Sequence, residues 1–163
     1  VYAELSAPGL CAETYNIVSP QPGGAGMARA MSLALDNAGL GPADIQYVNA
    51  HGTSTPLNDI SETQAMKNVF GDAARSLVVS STKSMTGHCL SAAAGVEAVI
   101  CCKALAEGVV PPTANLDDPD PECDLDYVPN AAREMALTHV MSNSFGFGGH
   151  NGVCVFSKPD AGA

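Results

Sequence analysis

The stretch that decides the fold runs from Leu77 to Glu107 and reads LVVSSTKSMTGHCLSAAAGVEAVICCKALAE. Its first four residues predict a short strand, and the residues from Ser91 onward predict a helix. That helix is apolar nearly all round, and such a helix is buried on every side. A sheet with a single layer of helices does not bury a helix so fully. We therefore predict a second layer beyond it, supplied by a partner or by sequence outside these residues.

Outward from this stretch, strand-like and helix-like segments alternate along the chain. Apolar positions at helical spacing predict a helix from Met27 to Ala38, ended by Gly39, and a weaker helix from Asp59 to Phe70. The predicted strands are Val1–Leu5, Ile45–Ala50, Leu77–Ser80, Thr138–Asn143 and Val153–Ser157. The order β-α-β-α-β-α-β-β predicts an α/β fold with a mixed five-stranded sheet, in which the last two strands form an antiparallel edge.

The composition fits one domain, residues 1–163, with enough apolar residues for a packed core. Hydrophobic residues make up 46% of the chain, and 7 basic against 17 acidic residues give a net charge of −10. Nucleic acids and anionic membranes are excluded as partners because both need clustered cations. The longest apolar run, Ala92–Ala106, contains two charges and is too short to span a bilayer. The chain opens at Val1 without Met, so we expect further residues upstream.

Six cysteines are spread along the chain without a Cys-x-x-Cys pair. This spacing argues against a zinc site, and a domain with so many apolar residues does not need a disulfide framework. We expect mostly buried thiols in a reducing, cytosolic compartment.

The first polar motif, Asn49-Ala-His-Gly-Thr-Ser-Thr-Pro56, follows the second predicted strand. Open α/β sheets place ligands outside the carboxyl ends of their strands, so a histidine beside hydroxyls and glycine suits a polar pocket. An ordinary turn with a structural histidine explains this motif, taken alone, equally well.

The second motif, Ser80-Ser-Thr-Lys-Ser-Met-Thr-Gly-His88, links the third strand to the apolar helix. His88 therefore lies at a helix N-terminus, where the helix dipole disfavours imidazolium and predicts a neutral ring that donates an N–H bond. Lys83 adds a cation to the same motif. The alternative for Lys83 is a solvated surface lysine, which its Ser, Met and Gly neighbours do not favour.

The third motif, Ser142-Asn-Ser-Phe-Gly-Phe-Gly-Gly-His-Asn151, joins the last two strands. Glycines on both sides of Phe147 permit positive φ and backbone movement. The motif therefore predicts a mobile loop that gates a pocket and whose backbone N–H groups face an oxyanion. The alternative is a glycine-rich hairpin.

Together, in this order and after successive strands, the three motifs resemble those of the β-ketoacyl-acyl-carrier-protein synthases of the thiolase superfamily, most closely the fatty-acid elongating type. The resemblance extends from Val1 to about Ser157. It implies the C-terminal half of a thiolase-like fold, in which the apolar helix packs against its counterpart in the N-terminal half. The implied reaction is a decarboxylative Claisen condensation of malonyl-carrier protein with an acyl group held on a cysteine of that N-terminal half, which is absent here.

The resemblance also implies roles residue by residue. His51 and His88 complete a Cys-His-His constellation and donate N–H bonds to the malonyl thioester oxygen, while Lys83 orders the site. Glu62, after Asp59, pairs with this lysine. The other implied roles are pantetheine binding by Thr53 and Thr55, oxyanion binding and gating by Phe147 and Gly148 supported by Phe145, and a structural Na⁺ or K⁺ at Asn49, Glu97, Ser142 and Asn143. For Glu97 a paired core carboxylate is the open alternative, and no cofactor beyond the substrate's phosphopantetheine is implied.

Three residues depart from the family pattern: His150 stands where relatives carry Thr, Cys89 where they carry Leu, and Ser91 where they carry Gly. These departures touch loop and helix packing. The implied partners are the acyl carrier protein, the N-terminal half and a second copy in a homodimer. Because the carrier protein is acidic and this chain is too, we expect its docking patch mainly on the N-terminal half.

Two alternative functions remain open on the sequence alone. A ketosynthase domain of polyketide synthesis carries the same three motifs, and a free-standing, catalytically dead half would act as a binding or assembly partner. None of the six cysteines has the context of the family nucleophile. We therefore expect these 163 residues alone to be inactive in condensation.

Overall fold

The computed structural model describes residues 1–159 and consists of helices packed on a mixed sheet. The strands are β1 (Glu4–Ala12), β2 (Tyr47–Asn49), β3 (Val78–Ser80), β4 (Val109–Val110), β5 (Arg133–Glu134), β6 (His139–Gly146) and β7 (His150–Ser157). The α-helices are α1 (Ala25–Ala38), α2 (Pro56–Phe70), α3 (Lys83–Thr86) and α4 (Ala93–Glu107). Short 3₁₀ turns occupy Pro42–Asp44, Gly71–Arg75 and Leu90–Ala92.

The main sheet has five strands in the order β1-β7-β6-β2-β3, which confirms the predicted mixed sheet. β2 pairs in parallel with β3 and β6, while β7 pairs antiparallel with β1 and β6. The prediction that the last two strands form the antiparallel edge is wrong, because β6 and β7 lie inside the sheet. The edge is β1, which starts later and runs further than the predicted Val1–Leu5 strand. Burial explains this order: consecutive residues of β6 are buried, whereas most of β1 is exposed.

Helices cover opposite faces of the sheet, and the alternation of side chains along β2 separates the two cores. Val48 packs with Met31 and Met66 in the core under α1 and α2. Its neighbour Tyr47 packs with Cys101 in the core under α4. Residues one apart on a strand therefore face different helical layers, which decides the contacts of the polar residues at the strand ends.

The packing of α1 on β1 depends on small residues. A Cβ atom at Gly9 would lie 2.1 Å from the carbonyl oxygen of Ala30, so only glycine permits this approach. Ala30 and Ala34 on the facing side of α1 are fully buried. The helix ends where predicted, at Gly39, whose φ of 67° suits the left-handed helix cap that glycine favours.

The apolar helix α4 is buried on one face only within this chain. Cys101, Ala104 and Leu105 lie against the sheet, whereas Val96 and Val99 are 37% and 63% exposed. The predicted burial on every side is therefore not met by the described residues, because the chain supplies a layer on one side of α4 alone. No helix within residues 1–159 is both long and apolar enough to cross a membrane.

The three polar motifs converge at one edge of the sheet. β2 lies between β3 and β6 and is parallel to both, so the carboxyl ends of these three strands are neighbours. The first motif follows β2, the second follows β3, and the third forms the end of β6 and the turn into β7. The predicted surface connection, residues 110–130, leads from β4 towards β5.

Candidate active site

One buried carboxylate holds the loop that follows β2. The Glu62 side chain on α2 is buried, and it accepts backbone N–H bonds from His51 and Gly52, each at 2.9 Å. The side-chain amides of Asn58 and Asn143 donate to the same carboxylate at 3.4 and 3.0 Å. Burial raises the pKa of Glu62, and these hydrogen bonds oppose that rise. The carboxylate therefore fixes the backbone that carries the His51 ring.

The His51 ring is buried and neutral. Desolvation, followed by the positive charge of Lys83 and by interaction with the neighbouring His88 ring, lowers its pKa from 6.5 to about 3. The Nδ1 atom is buried and has no hydrogen-bond partner among residues 1–159. The ring of Phe145 packs edge-on against it, with 5.7 Å between ring centroids. A neutral imidazole in this setting donates one N–H bond without carrying a charge.

His88 lies beside His51 with its ring perpendicular to the other. The ring centroids are 5.5 Å apart and the planes meet at 86°. The backbone N–H of Leu90 donates to Nδ1 of His88 at 3.0 Å. A nitrogen that accepts a hydrogen bond carries no proton, so the proton of the ring sits on Nε2, which can then donate. This tautomer is the one that the predicted neutral N–H donor requires.

Lys83 forms a buried ion pair with Glu97 of α4. Its Nζ lies 2.5 Å from Glu97 Oε1, and the two side chains are 5% and 2% exposed. The prediction that Lys83 pairs with Glu62 is wrong, because Lys83 turns toward α4 while α2 covers the opposite face of the sheet. For Glu97, the alternative of a paired core carboxylate is the one observed. Burial raises the pKa of Glu97 despite the opposing effect of Lys83.

The four side chains predicted to hold a structural Na⁺ or K⁺ do not meet at one point. Asn49 and Ser142 are register partners on adjacent strands, and both approach Cys101 on the α4 face, as Glu97 does. Asn143 is the next residue of β6, so its side chain faces α1 and α2. There its amide donates to the α2 carboxylate described above. The side chain of Asn143 is therefore turned away from the other three residues. The binding of a structural Na⁺ or K⁺ by these four residues stays a prediction.

The hydroxyls predicted to bind pantetheine lie in the loop before α2. The Oγ1 atoms of Thr53 and Thr55 are 3.0 Å apart, and Thr55 is the residue before the first turn of α2. Asp59 supports this loop by accepting the backbone N–H of Ser54 at 3.2 Å. Burial raises the pKa of Asp59. The binding of pantetheine by the two threonines stays a prediction.

The β6–β7 hairpin carries the predicted gate at its tip. Phe147 is 76% exposed, whereas Phe145 is buried against His51. Gly148 has a φ of 78°, and its N–H donates to the carbonyl of Ile17 at 2.8 Å. Gly148 is therefore not free to donate to an oxyanion, contrary to the prediction. The gating and oxyanion roles of Phe147 stay predictions.

No cysteine among residues 1–159 is placed as a nucleophile for the two histidines. All six thiols are free, and burial raises the pKa of Cys101. Cys89 is exposed, and its Sγ lies 3.9 Å from the carbonyl oxygens of Thr86 and Gly87. Within the same residues, no group of three or more His, Cys, Asp or Glu side chains is arranged to bind a metal ion.

The sequence interpretation missed the contacts of two amides with the Glu62 carboxylate. Asn58 lies four residues before Glu62, one turn of α2 away, so helical spacing could have found it. Asn143 was assigned to the same ion as Ser142, although adjacent strand residues face opposite ways. Strand alternation instead places Asn143 on the face of Phe145, which lies against the His51 ring.

The comparisons with known proteins point to one family. The family profile described as Beta-ketoacyl synthase, C-terminal domain, matches residues 2–117. The chain is 53% identical over 161 residues to 3-oxoacyl-[acyl-carrier-protein] synthase 2 of Staphylococcus aureus (strain COL). The aligned residues cover 99% of this chain and 39% of the relative. It is 51% identical over 158 residues to the protein of the same name from Synechocystis sp., covering 97% and 38%. The chain thus spans less than two fifths of the length of these relatives.

Solved ketosynthases share the fold. A structure of a type II PKS acyl-carrier protein in complex with its ketosynthase superposes with a TM-score of 0.93 at 38% identity, over 98% of this chain and 39% of that one. A β-ketoacyl synthase from Burkholderia phymatum STM815 gives a TM-score of 0.91 at 40% identity, over 97% and 38%. The likeness extends along nearly the whole chain, which confirms the predicted fold class.

Proposed function

The chain belongs to the β-ketoacyl synthase family, whose C-terminal domain it carries, and on this premise we propose that it supplies the two decarboxylating histidines of a 3-oxoacyl-[acyl-carrier-protein] synthase. The observation that carries the proposal is the His51–His88 pair. Both rings are neutral, they lie 5.5 Å apart, and they stand beyond the carboxyl ends of neighbouring parallel strands. Two such donors can converge on one developing oxyanion.

The chemistry of decarboxylation explains why neutral rings are needed. When malonyl thioester loses CO₂, the electron pair of the broken C–C bond moves toward the thioester carbonyl and forms an enolate. N–H donors placed at its oxygen stabilise this charge more than they stabilise the substrate carbonyl. An imidazolium would tend to transfer its proton and quench the nucleophile. His51, with a pKa of about 3, does not carry that extra proton near neutral pH.

Lys83 influences the protonation state of His51 through its positive charge. After desolvation, its ammonium group is the next largest cause of the lowered His51 pKa. The ion pair with Glu97 holds that group in place near His51. Lys83 thereby adds to the effect of burial in favouring the neutral donor form of His51, and we assign it this electrostatic role.

We place the nucleophilic cysteine outside these 163 residues, in the complementary half of the family fold. The enolate carbon attacks the acyl thioester on that cysteine, the new C–C bond forms, and the cysteine leaves as a thiolate. This half would pack against the exposed apolar face of α4. That surface is formed by Val96 and Val99 of α4 together with Leu90 of the preceding turn. An interface of this kind removes apolar area from water.

We assign the reaction to fatty-acid elongation. The identity of 53% to a curated 3-oxoacyl-[acyl-carrier-protein] synthase 2 supports this over the 38% to a polyketide ketosynthase. The TM-score of 0.93 to the latter supports polyketide synthesis as the second candidate. We further propose an acyl carrier protein as the partner, since one accompanies that ketosynthase. We also propose that the complete enzyme is a homodimer. The six free thiols of this chain suit a cytosolic location.

The test is a condensation assay with the complete enzyme. Malonyl and saturated acyl carrier proteins should yield one 3-ketoacyl product for each CO₂ released, while residues 1–163 alone yield none. Turnover of poly-β-keto chains in preference to saturated ones would favour the polyketide candidate. A complete enzyme that binds carrier protein but releases no CO₂ would overturn the proposal and favour a binding or assembly role.

Reversing the charges of Lys67 and Arg75 should leave carrier-protein binding almost unchanged. Both already face carboxylates, Lys67 that of Asp124 and Arg75 that of Asp72, so they form no free basic patch. Lys67→Glu and Arg75→Glu should change the KM for carrier protein by less than about twofold, because exposed paired charges contribute little. Steady-state kinetics at low ionic strength measures this. A large rise in KM would place the docking patch on this chain.

A further inference from the structure

The side chain of Asn143 lies on the opposite face of the sheet from those of Asn49, Ser142 and Glu97. It is fully buried on the α1 and α2 face of β6, with its Nδ2 donating to Glu62 Oε1 at 3.0 Å. Ser142, the residue before it, faces α4 instead. We propose that Asn143 is a positioning residue for decarboxylation: it holds the Glu62 carboxylate, which in turn holds the backbone of His51.

The chain of contacts is short and wholly buried. Glu62 receives the Asn143 amide on the same oxygen, Oε1, that accepts the His51 N–H at 2.9 Å. Its other oxygen takes the Gly52 N–H at 2.9 Å and the Asn58 amide at 3.4 Å. A buried carboxylate with no cation beside it depends on its N–H donors, so the loss of one displaces the others. Asn143 is the only one of these donors that comes from β6.

The orientation of the amide supports a role for its donor alone. Asn143 Oδ1 is buried and has no hydrogen-bond partner among residues 1–159. A flipped amide would aim that oxygen at the Glu62 carboxylate, which is repulsive, so the observed orientation is the favourable one. A buried acceptor without a partner lowers stability. The Asn143 Nδ2 group also donates a weak bond to Met31 Sδ at 3.7 Å, so its bond to the Glu62 carboxylate is the stronger of its two contacts.

Two residues of β6 support His51, one through its backbone and one through its ring. Asn143 reaches the His51 backbone through Glu62, and two residues later Phe145 packs edge-on against the ring at 5.7 Å. The same strand leads directly into the hairpin that carries Phe147. The inference rests on the proposed function, because it concerns the donor that His51 presents to the enolate.

The test compares Asn143→Ala and Asn143→Asp in the complete enzyme, with Thr63→Val as the control. Thr63 is a buried neighbour of Glu62 on α2, and its hydroxyl bonds the Asp59 carbonyl and the Tyr127 hydroxyl, not the Glu62 carboxylate. The readouts are malonyl decarboxylation from pH 6 to pH 8.5 and the melting temperature. Asn143→Ala should lose about 100-fold at every pH, the effect of a displaced catalytic group. Thr63→Val should melt earlier and decarboxylate normally.

Asn143→Asp distinguishes positioning from mere packing. Its carboxyl and that of Glu62 cannot both ionise side by side, so they share one proton as the pH falls. The shared O–H replaces the lost N–H. We therefore expect the decarboxylation rate of Asn143→Asp, taken relative to that of wild type, to rise at least about tenfold as the pH is lowered from 8.5 to 6. The deficit of Asn143→Ala should not change when K⁺ is exchanged for Na⁺ or tetramethylammonium.

The outcomes separate this inference from the proposed function. A wild-type enzyme without CO₂ release would remove the function itself. An active wild type with Asn143→Ala no slower than Thr63→Val would overturn the positioning role and leave the function standing. An Asn143→Asp deficit that stays constant with pH, or an Asn143→Ala deficit that monovalent cations repair, would also overturn it, the latter in favour of a cation ligand.

Discussion

Replacing His51 with alanine in the complete condensing enzyme should lower the rate of malonyl decarboxylation about 100- to 1,000-fold, the usual effect of removing one oxyanion donor. His51 is 8% exposed, so its N–H acts in a place where water competes weakly. The assay is CO₂ release from malonyl carrier protein at saturating substrate. His88→Ala should give a similar loss. The double variant should lose less than the product of the two, because both donors act on one oxygen.

The matched control is another histidine of the same chain. His139 lies at the far end of β6 and its Nδ1 contacts Ser157 Oγ at 2.7 Å. His139→Ala should decarboxylate at the wild-type rate. His51→Gln should recover part of the loss, because a carboxamide also carries an N–H donor. Equal rates for wild type and His51→Ala would contradict the role assigned to this ring.

The pH dependence gives an independent check on His51. Its pKa falls from 6.5 to about 3 on folding, so between these values the unfolded chain binds a proton that the folded chain does not. The stability associated with the neutral ring is present above pH 6.5 and is lost as the pH falls toward 3. His51→Ala should therefore resist acid unfolding better than wild type. The wild-type decarboxylation rate should show no acid limb from His51 above about pH 5.

Much of the site could be predicted because strand ends carry their motifs to a common edge. Parallel neighbours β3, β2 and β6 bring His88, His51 and Phe145 together, whatever the details of the loops. The neutral state of His88 was expected from a helix N-terminus. The structure adds a more local reason, the N–H of Leu90 that occupies Nδ1.

The remaining contacts depend on which face each side chain takes. Two buried carboxylates, Glu62 and Glu97, are candidate partners for Lys83. Only the placement of α2 and α4 on opposite faces of the sheet shows that Glu97 is the partner. For Asn143 the alternation along β6 was already in the sequence, and it shows that the side chains of Ser142 and Asn143 face opposite ways. The edge position of β1 could not be foreseen, since pairing between distant strands leaves no local pattern.

The Lys83–Glu97 pair should show the largest effects on stability. Lys83→Met leaves a buried carboxylate without its cation, and Glu97→Leu leaves a buried ammonium without its anion, so each should cost about 3–5 kcal/mol in the free energy of unfolding. Urea unfolding of the complete enzyme measures both. The cost of Lys83→Met should shrink between pH 8 and pH 5, because Glu97, whose pKa burial already raises, can then take up a proton.

The double variant Lys83→Met/Glu97→Leu separates the stability of the pair from its function. The pKa of Glu97 is raised even with Lys83 2.5 Å away, so the native state binds that proton more tightly than the unfolded chain, and ionising it lowers stability as the pH rises. A pair of this kind is not a net source of stability. The free energy of unfolding of the double variant should therefore return to within about 1 kcal/mol of wild type or exceed it.

Decarboxylation by the double variant should stay low, because the cation beside His51 is gone. A double variant as unstable as the single ones would show that the pair stabilises the fold, and one that regained full activity would leave Lys83 without a role in the site.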